Sequence, residues 1–194
     1  MVVYILSIQA DLDGVASLAW ASSDDGAPPD LCVSVRHPVD HTQVRERIVI
    51  DRRAFEPAKD AAGPHAHKPH HAHVKHAAPP CHVTLHWDHD SERGTIRVLD
   101  NADDLKRHKV TTQLATSLTE SDSGSRVIVL ALECQHVEPY ALHLLGTEFV
   151  VTTPAGQNFE QLEWDNAGNT PCSWTAYDLA SGSTSITNLR ATFE

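Results

Sequence analysis

Hydrophobic and polar residues alternate near the start of the chain. From Tyr4 to Leu12 every second side chain is apolar, and the residues between them include Ser7, Gln9 and Asp11. Alternation with a period of two places the apolar side chains on one face of a half-buried β-strand. Asp13-Gly14 follows directly and is typical of a turn. The pattern therefore predicts a strand at the start of the chain.

Shorter apolar runs recur along the rest of the chain, between segments of turn composition. The one candidate for a helical period, Ala102 to Leu118, is irregular, so we expect a loop, a strand or a single turn there. Many short strands predict an all-β fold of two packed antiparallel sheets, sandwich-like and built of two quasi-similar modules. Because a sheet buries one face, the residues expected in the core are Leu6, Ile8, Val33, Val35, Ile48, Ile50, Leu85, Val127, Val129, Phe149, Trp174 and Ile186.

One segment differs in composition from the rest. Ala58 to Pro80 consists almost entirely of Ala, Pro, Lys and His, and six of its residues are histidines. Such a segment lacks the apolar side chains needed for a core. We expect residues 1–194 to form a single domain interrupted by this mobile, His-rich insert, since a chain of this length can bury a sizeable core.

The charge balance restricts the partners. The chain has 15 Lys and Arg against 26 Asp and Glu, and from Glu133 to Glu194 there are eight acidic residues and one basic residue, Arg190. We therefore expect binding neither to nucleic acid nor to a membrane surface. No apolar run is long enough for a membrane span and no signal peptide is evident, so we expect a cytoplasmic protein, or one that is also nuclear. The four cysteines are widely separated, as expected of reduced thiols.

Histidine is abundant, with 14 residues in the chain. Two close groups follow predicted strands: His37, Asp40 and His41 in one, and His86 and His89 in the other. A spacing of three or four residues at a strand end lets a tight turn direct two side chains at one ion, and two such turns complete a tetrahedral zinc site. The alternative is that these histidines are exposed residues near turns. We find no catalytic motif and expect no enzymatic activity.

Two later motifs add a family resemblance. Residues 131–139 read Ala-Leu-Glu-Cys-Gln-His-Val-Glu-Pro, and residues 174–178 read Trp-Thr-Ala-Tyr-Asp. They resemble the Glu-Cys-x-x-Leu-Glu-Pro and Trp-x-x-Tyr-Asp motifs of the eukaryotic CXXC-motif zinc-binding proteins. The resemblance covers nearly the whole chain apart from Ala58 to Pro80. It implies a small all-β cytosolic protein in which two Cys-x-x-Cys turns hold zinc.

All four of the family's zinc-binding cysteines are replaced here. The resemblance places His37, Asp40, His86 and His89 at their positions, with His41 as a substitute for Asp40. Each of these side chains can bind zinc. Two alternatives follow: a retained site of three histidines and one aspartate, or the vestige of a site that has lost its metal.

The function expected from these features is that of a non-enzymatic, monomeric scaffold or adaptor with a structural zinc site or its vestige. Its acidic last third would bind a basic partner protein. An alternative, which no particular residue supports, is a co-chaperone or adaptor role in the folding of a translation factor. Two further alternatives are metal handling, in which the His-rich loop collects zinc, nickel or copper, and a zinc metallohydrolase.

Overall fold

A computed structural model describes residues 1–22, 26–55, 80–88, 93–166, 171–180 and 182–194. Within them the chain is predominantly β-strand, which confirms the predicted all-β, sandwich-like class. The strands are β1 (Val2–Asp13), β2 (Ser17–Trp20), β3 (Leu31–Arg36), β4 (Val44–Ile50), β5 (Val83–His86), β6 (Arg93–Leu99), β7 (Ser117–Thr119), β8 (Arg126–Gln135), β9 (Glu138–His143), β10 (Phe149–Thr152), β11 (Asn158–Phe159), β12 (Cys172–Asp178) and β13 (Gly182–Phe193).

The described strands form three antiparallel sheets rather than the two expected. The largest has six strands in the order β12-β13-β1-β8-β6-β5, the second has the order β11-β10-β2-β7, and the third has the order β4-β3-β9. Strand β1 lies at the centre of the large sheet, where Leu6 pairs with Leu130 on one side and with Phe193 on the other. The predicted His-rich insert falls outside the described residues, except for Pro80.

The core follows the alternation of the strands. In β1 the side chains of Leu6, Ile8, Ala10 and Leu12 are buried, as their period of two predicts. Nine of the twelve residues expected in the core are buried, and Ile48, Leu85 and Val127 are partly buried against it. All four cysteines are buried and unpaired. Burial raises the pKa of Cys134 to about 12 and that of Cys172 to about 11, so both remain protonated thiols.

A short helix, α1 (Ala102–Arg107), lies within the segment where the sequence showed only an irregular period. Asn101 begins it, because its side-chain oxygen accepts a hydrogen bond from the backbone N–H of Asp104 at 2.8 Å. No helix within the described ranges is long and apolar enough to cross a bilayer.

Helix α1 is joined to the large sheet by buried charges. The guanidinium of Arg97 on β6 pairs with the carboxylate of Asp104 and lies 3.8 Å from that of Glu133 on β8. The ring of His108, just after the helix, lies 3.4 Å from the second oxygen of Glu133. Glu133 opens the first of the two family-like motifs, and in this structure it has a packing role.

Candidate functional site

The first histidine group forms the turn between β3 and β4. The Nδ1 atom of His37 accepts hydrogen bonds from the backbone N–H groups of Val39 at 3.3 Å and Asp40 at 2.9 Å. The Asp40 carboxylate accepts hydrogen bonds from the hydroxyl of Thr42 at 2.6 Å and the amide of Gln43 at 3.0 Å. These bonds lower the pKa of Asp40. Both predicted ligands therefore stabilise the turn that carries them.

His41 lies on another side of this turn. Its Nε2 atom is 3.5 Å from the carboxylate of Glu138 on β9. That carboxylate also pairs with the guanidinium of Arg36, whose hydrogen bond lowers the pKa of Glu138. His41 therefore contacts the β9 side of the three-stranded sheet.

The second histidine group follows β5. His86 is exposed at the end of that strand, whereas the next residue, Trp87, is only 4% exposed. The indole N–H of Trp87 donates a hydrogen bond to the backbone carbonyl of His136, 2.7 Å away. His89, the remaining predicted ligand, lies outside the described residues.

The two turns meet, as the prediction of one shared site requires, and a residue that was not predicted joins them. The guanidinium of Arg45 on β4 lies over the Trp87 ring, 5.4 Å from its centroid. It also donates hydrogen bonds to the carbonyl of His86 and the carboxylate of Asp88, both at 3.2 Å. The ring of His37 stands edge-on to Trp87 with centroids 5.5 Å apart. We call these residues the Arg45–Trp87 junction.

The described side chains at this junction do not fit a zinc site. Zinc needs about four donors converging at roughly 2.0–2.3 Å. Within the described part of the chain, no group of three or more His, Cys, Asp or Glu side chains is placed to hold a metal ion. Asp40 is engaged within its own turn and His41 is directed at Glu138. The guanidinium of Arg45 adds a permanent positive charge beside the remaining candidates.

A second candidate site lies at the opposite edge of the large sheet, beside β12. A cleft of about 610 Å³ separates Trp174 to Ala176 of this strand from the segment Phe159 to Asp165. Three exposed carboxylates belong to that segment: Glu160, Glu163 and Asp165. The ring of Phe159 packs edge-on against Trp174 with centroids 5.3 Å apart. The cleft is therefore acidic and has aromatic side chains in its wall.

The cleft forms because the segment turns away from β12. Asp165 and Ser173 exchange two backbone hydrogen bonds, of 2.8 and 3.4 Å. Beyond them, the N–H of Leu162 donates to the carbonyl of Gly146 at 2.7 Å. The ring of Trp164 packs edge-on against Phe149. These contacts attach the segment to the four-stranded sheet, so the pairing with β12 ends at Ser173.

Among the described residues, this divergence leaves the outer edge of β12 without a partner strand. Backbone direction alternates along a strand, so Thr175 and Tyr177 direct their N–H and C=O groups to the same side as Ser173, away from β13. No described residue hydrogen-bonds to these outward groups. The side chain of Tyr177 is 69% exposed. We call Thr175 to Tyr177, with the cleft beside them, the β12 edge.

The second family-like motif supports this edge from inside. Trp174 and Asp178 are buried, and the Asp178 carboxylate accepts hydrogen bonds from the hydroxyl of Thr153 at 3.0 Å and the N–H of Ala180 at 2.9 Å. The motif therefore anchors β12 to the residue that follows β10. Its part in shaping an edge was not evident from the sequence, because the motif gives no information on strand order.

Comparison with known proteins shows the fold alone. No family model and no curated protein matches the sequence. Among solved structures, a hypothetical protein from Plasmodium falciparum is similar with a TM-score of 0.68 and 14% identity, and the alignment covers 100% of both chains. The crystal structure of C1orf123 is similar with a TM-score of 0.68 and 12% identity, covering 100% of this chain and 99% of that one.

Proposed function

We propose that this protein is a non-enzymatic scaffold that binds an extended, basic segment of a partner protein along the β12 edge. The observation that carries the proposal is the open backbone of Thr175 and Tyr177 beside three exposed carboxylates. An open strand edge accepts a further strand through main-chain hydrogen bonds, and side-chain pockets then select its sequence.

The composition of the edge supports this use. Natural sheets protect open edges with lysine, proline or a bulge within the strand. The sequence of β12, Cys-Ser-Trp-Thr-Ala-Tyr-Asp, has neither lysine nor proline. The register shift in this part of the sheet gives β13 the extra residue, between Ile186 and Leu189, so β12 itself is regular. A regular edge without such protection suits pairing with another chain.

The charge of the cleft selects a basic segment. Glu160, Glu163 and Asp165 are exposed, and no lysine or arginine of the described segments lines this cleft. Lysine and arginine side chains can also pack their apolar stems against Phe159, with the charged group next to the carboxylates. An acidic peptide would be repelled. Selectivity therefore comes from the cleft and affinity from the backbone edge.

A peptide titration tests the proposal. The probe is a short synthetic peptide of alternating arginine and valine, with a glutamate–valine peptide as the control. We expect the basic peptide to shift the backbone amide resonances of Thr175 and Tyr177. Thr175→Pro should weaken binding several-fold, because it removes one outward N–H and leaves the pairing with β13 intact. Thr175→Ala, which keeps the N–H, should bind like the wild type.

The contribution of charge is measured with matched variants. Glu163→Gln should weaken binding of the basic peptide, while Glu46→Gln, which removes a charge that is also exposed but lies on β4, should not. Equal losses in the two variants, or normal binding by Thr175→Pro, would show that the peptide recognises only the overall negative charge.

We also propose a family and a cellular location for this protein. We place the chain as a divergent member of the CXXC-motif zinc-binding proteins, which is supported by the side-by-side position of the two turns at the Arg45–Trp87 junction. A monomer in the cytoplasm or nucleus agrees with four unpaired, buried cysteines, because reducing compartments keep thiols free.

A further inference from the structure

We infer that the Arg45 guanidinium, rather than a metal ion, links the two turns at the Arg45–Trp87 junction. The residues predicted as zinc ligands lie in these turns, so the junction occupies the place where the sequence suggested zinc. The Arg45 guanidinium is a cation that belongs to the chain itself, and it connects the two turns as the zinc ion was expected to do.

The first support is the number of elements that one side chain joins. Arg45 belongs to β4, and its hydrogen bonds reach the carbonyl of His86 and the carboxylate of Asp88, which are 41 and 43 residues further along the chain. The segment between β4 and β5 includes the His-rich insert. These contacts therefore hold together two strand ends that no short loop connects.

The second support is the fixed position of the Trp87 ring. Trp87 is buried, and its N–H bonds to the carbonyl of His136, in the turn between β8 and β9. The His37 ring lies against it edge-on. A guanidinium over the face of such a ring is attracted by the negative π-face. The tryptophan thus gives Arg45 a rigid surface on which to stack.

The third support is charge. A guanidinium carries a positive charge and has only hydrogen-bond donors. Its N–H groups therefore donate hydrogen bonds to the acceptors of the second turn, the carbonyl of His86 and the carboxylate of Asp88. A divalent cation in the same place would be repelled by it and would lose access to the Asp88 carboxylate. The space between the two turns can therefore hold either the Arg45 guanidinium or a divalent metal ion, but not both. The contacts of the described residues are those of the guanidinium.

The test uses the full-length protein and a local reporter, the indole N–H resonance of Trp87, assigned with Trp87→Phe. A local reporter is needed because the insert histidines can bind zinc elsewhere. We expect Arg45→Ala to shift this resonance, to speed its hydrogen exchange and to lower Tm by about 2–4 °C. Arg190→Ala, which removes an exposed arginine of β13, is the matched control. Zinc or a chelator should leave the Trp87 resonance of the wild type unchanged.

A second variant separates charge from shape. Arg45→Lys keeps the charge but not the planar, forked donor group, so we expect a smaller shift and a smaller loss of Tm than with alanine. The inference is overturned if one equivalent of zinc shifts the Trp87 resonance of the wild type. It is equally overturned if Arg45→Ala behaves like Arg190→Ala, or if Arg45→Lys matches the wild type.

Discussion

Gly94 lies so close to Val137 that a β-carbon built on the glycine would stand 2.5 Å from Cγ2 of the valine. The same position is 3.0 Å from Nε1 of Trp87 and 3.3 Å from the carbonyl oxygen of His136. Real β-carbons essentially never come closer than 3.0 Å to another atom, so the contact with Val137 is not possible without a shift. The glycine therefore allows the hydrogen bond between Trp87 and His136 to form beside β6.

Substituting this glycine should destabilise the fold. We expect Gly94→Ala to cost about 1–3 kcal/mol, as overpacking of a filled core does. Urea denaturation measures the loss. Val137→Ala removes the atom in conflict, so its effect in the Gly94→Ala background should be smaller than in the wild type. Strictly additive costs would contradict the proposed clash.

Disrupting the buried charges beneath α1 should lower the free energy of unfolding by more than Gly94→Ala does. Arg97→Met removes the guanidinium that pairs with the carboxylates of Asp104 and Glu133, both of which are buried. Removing one member of a buried ion pair costs about 3–5 kcal/mol. Arg190→Met, at an exposed position, should change the unfolding free energy by no more than about 0.5 kcal/mol. Thermal unfolding of the two variants gives the comparison.

The lowered pKa of Asp104 predicts that the stability of the protein decreases at acid pH. Burial opposes ionisation of its carboxylate, but the hydrogen bond from Asn101 and the charges of Arg97 and Arg107 outweigh it and lower the pKa of Asp104. The unfolded value is about 3.9. A lowered folded value means that this stabilisation is complete above that pH and is lost as the pH falls through the folded pKa. We expect Asp104→Asn to flatten the fall in stability on acidification, measured by chemical denaturation over that range.

The His-rich insert should be removable. The rings of Phe55 and His82, which flank it, lie 4.3 Å apart between centroids, so the chain leaves and returns at nearly the same place. Loop-closure entropy changes by only about 0.6 kcal/mol per doubling of loop length. Replacing Ala58 to Pro80 with a short Gly-Ser turn should therefore leave Tm within about 2 °C of the wild type. A larger drop in calorimetry would show that the insert packs on the domain.

The alternation of the sequence predicts strands well because burying one face imposes a period of two. It predicts β1 directly and places Val33 and Val35 of β3 and Ile186 of β13 in the core, whereas β9 has a proline and an irregular pattern that predicts no strand. The sequence does not predict which strands pair with one another. Nothing in the residues of β1 indicates that β8 and β13, more than a hundred residues later, lie on either side of it. Helix α1 was hidden because its six residues are too few to show a period.

The candidate sites, like the strands, could be predicted only in part from the sequence. The spacing of His37 with Asp40 or His41, and of His86 with His89, predicts one shared zinc site, and this stays a prediction. In the structure the ring of His37 lies beside Trp87, and Arg45 reaches the carbonyl of His86. Arg45 gave no signal, because a single arginine in an exposed strand has no motif, and its contacts arise only after folding. The β12 edge was likewise invisible, since whether a strand is an edge depends on the order of all the others.

The central position of β1 bears on how the protein is made. Ribosomes synthesise β1 before both of its partner strands, since Leu6 pairs with Leu130 and Phe193, which follow it by more than a hundred residues. Pairing over such distances is slow, because loop closure must precede any gain from contacts. During synthesis the two edges of β1 therefore stay unpaired until β8 and then β13 have emerged, a state prone to aggregation. We expect ribosome-bound chains that end before Gly182 to remain protease-sensitive, because β1 then lacks β13, its partner strand on one side.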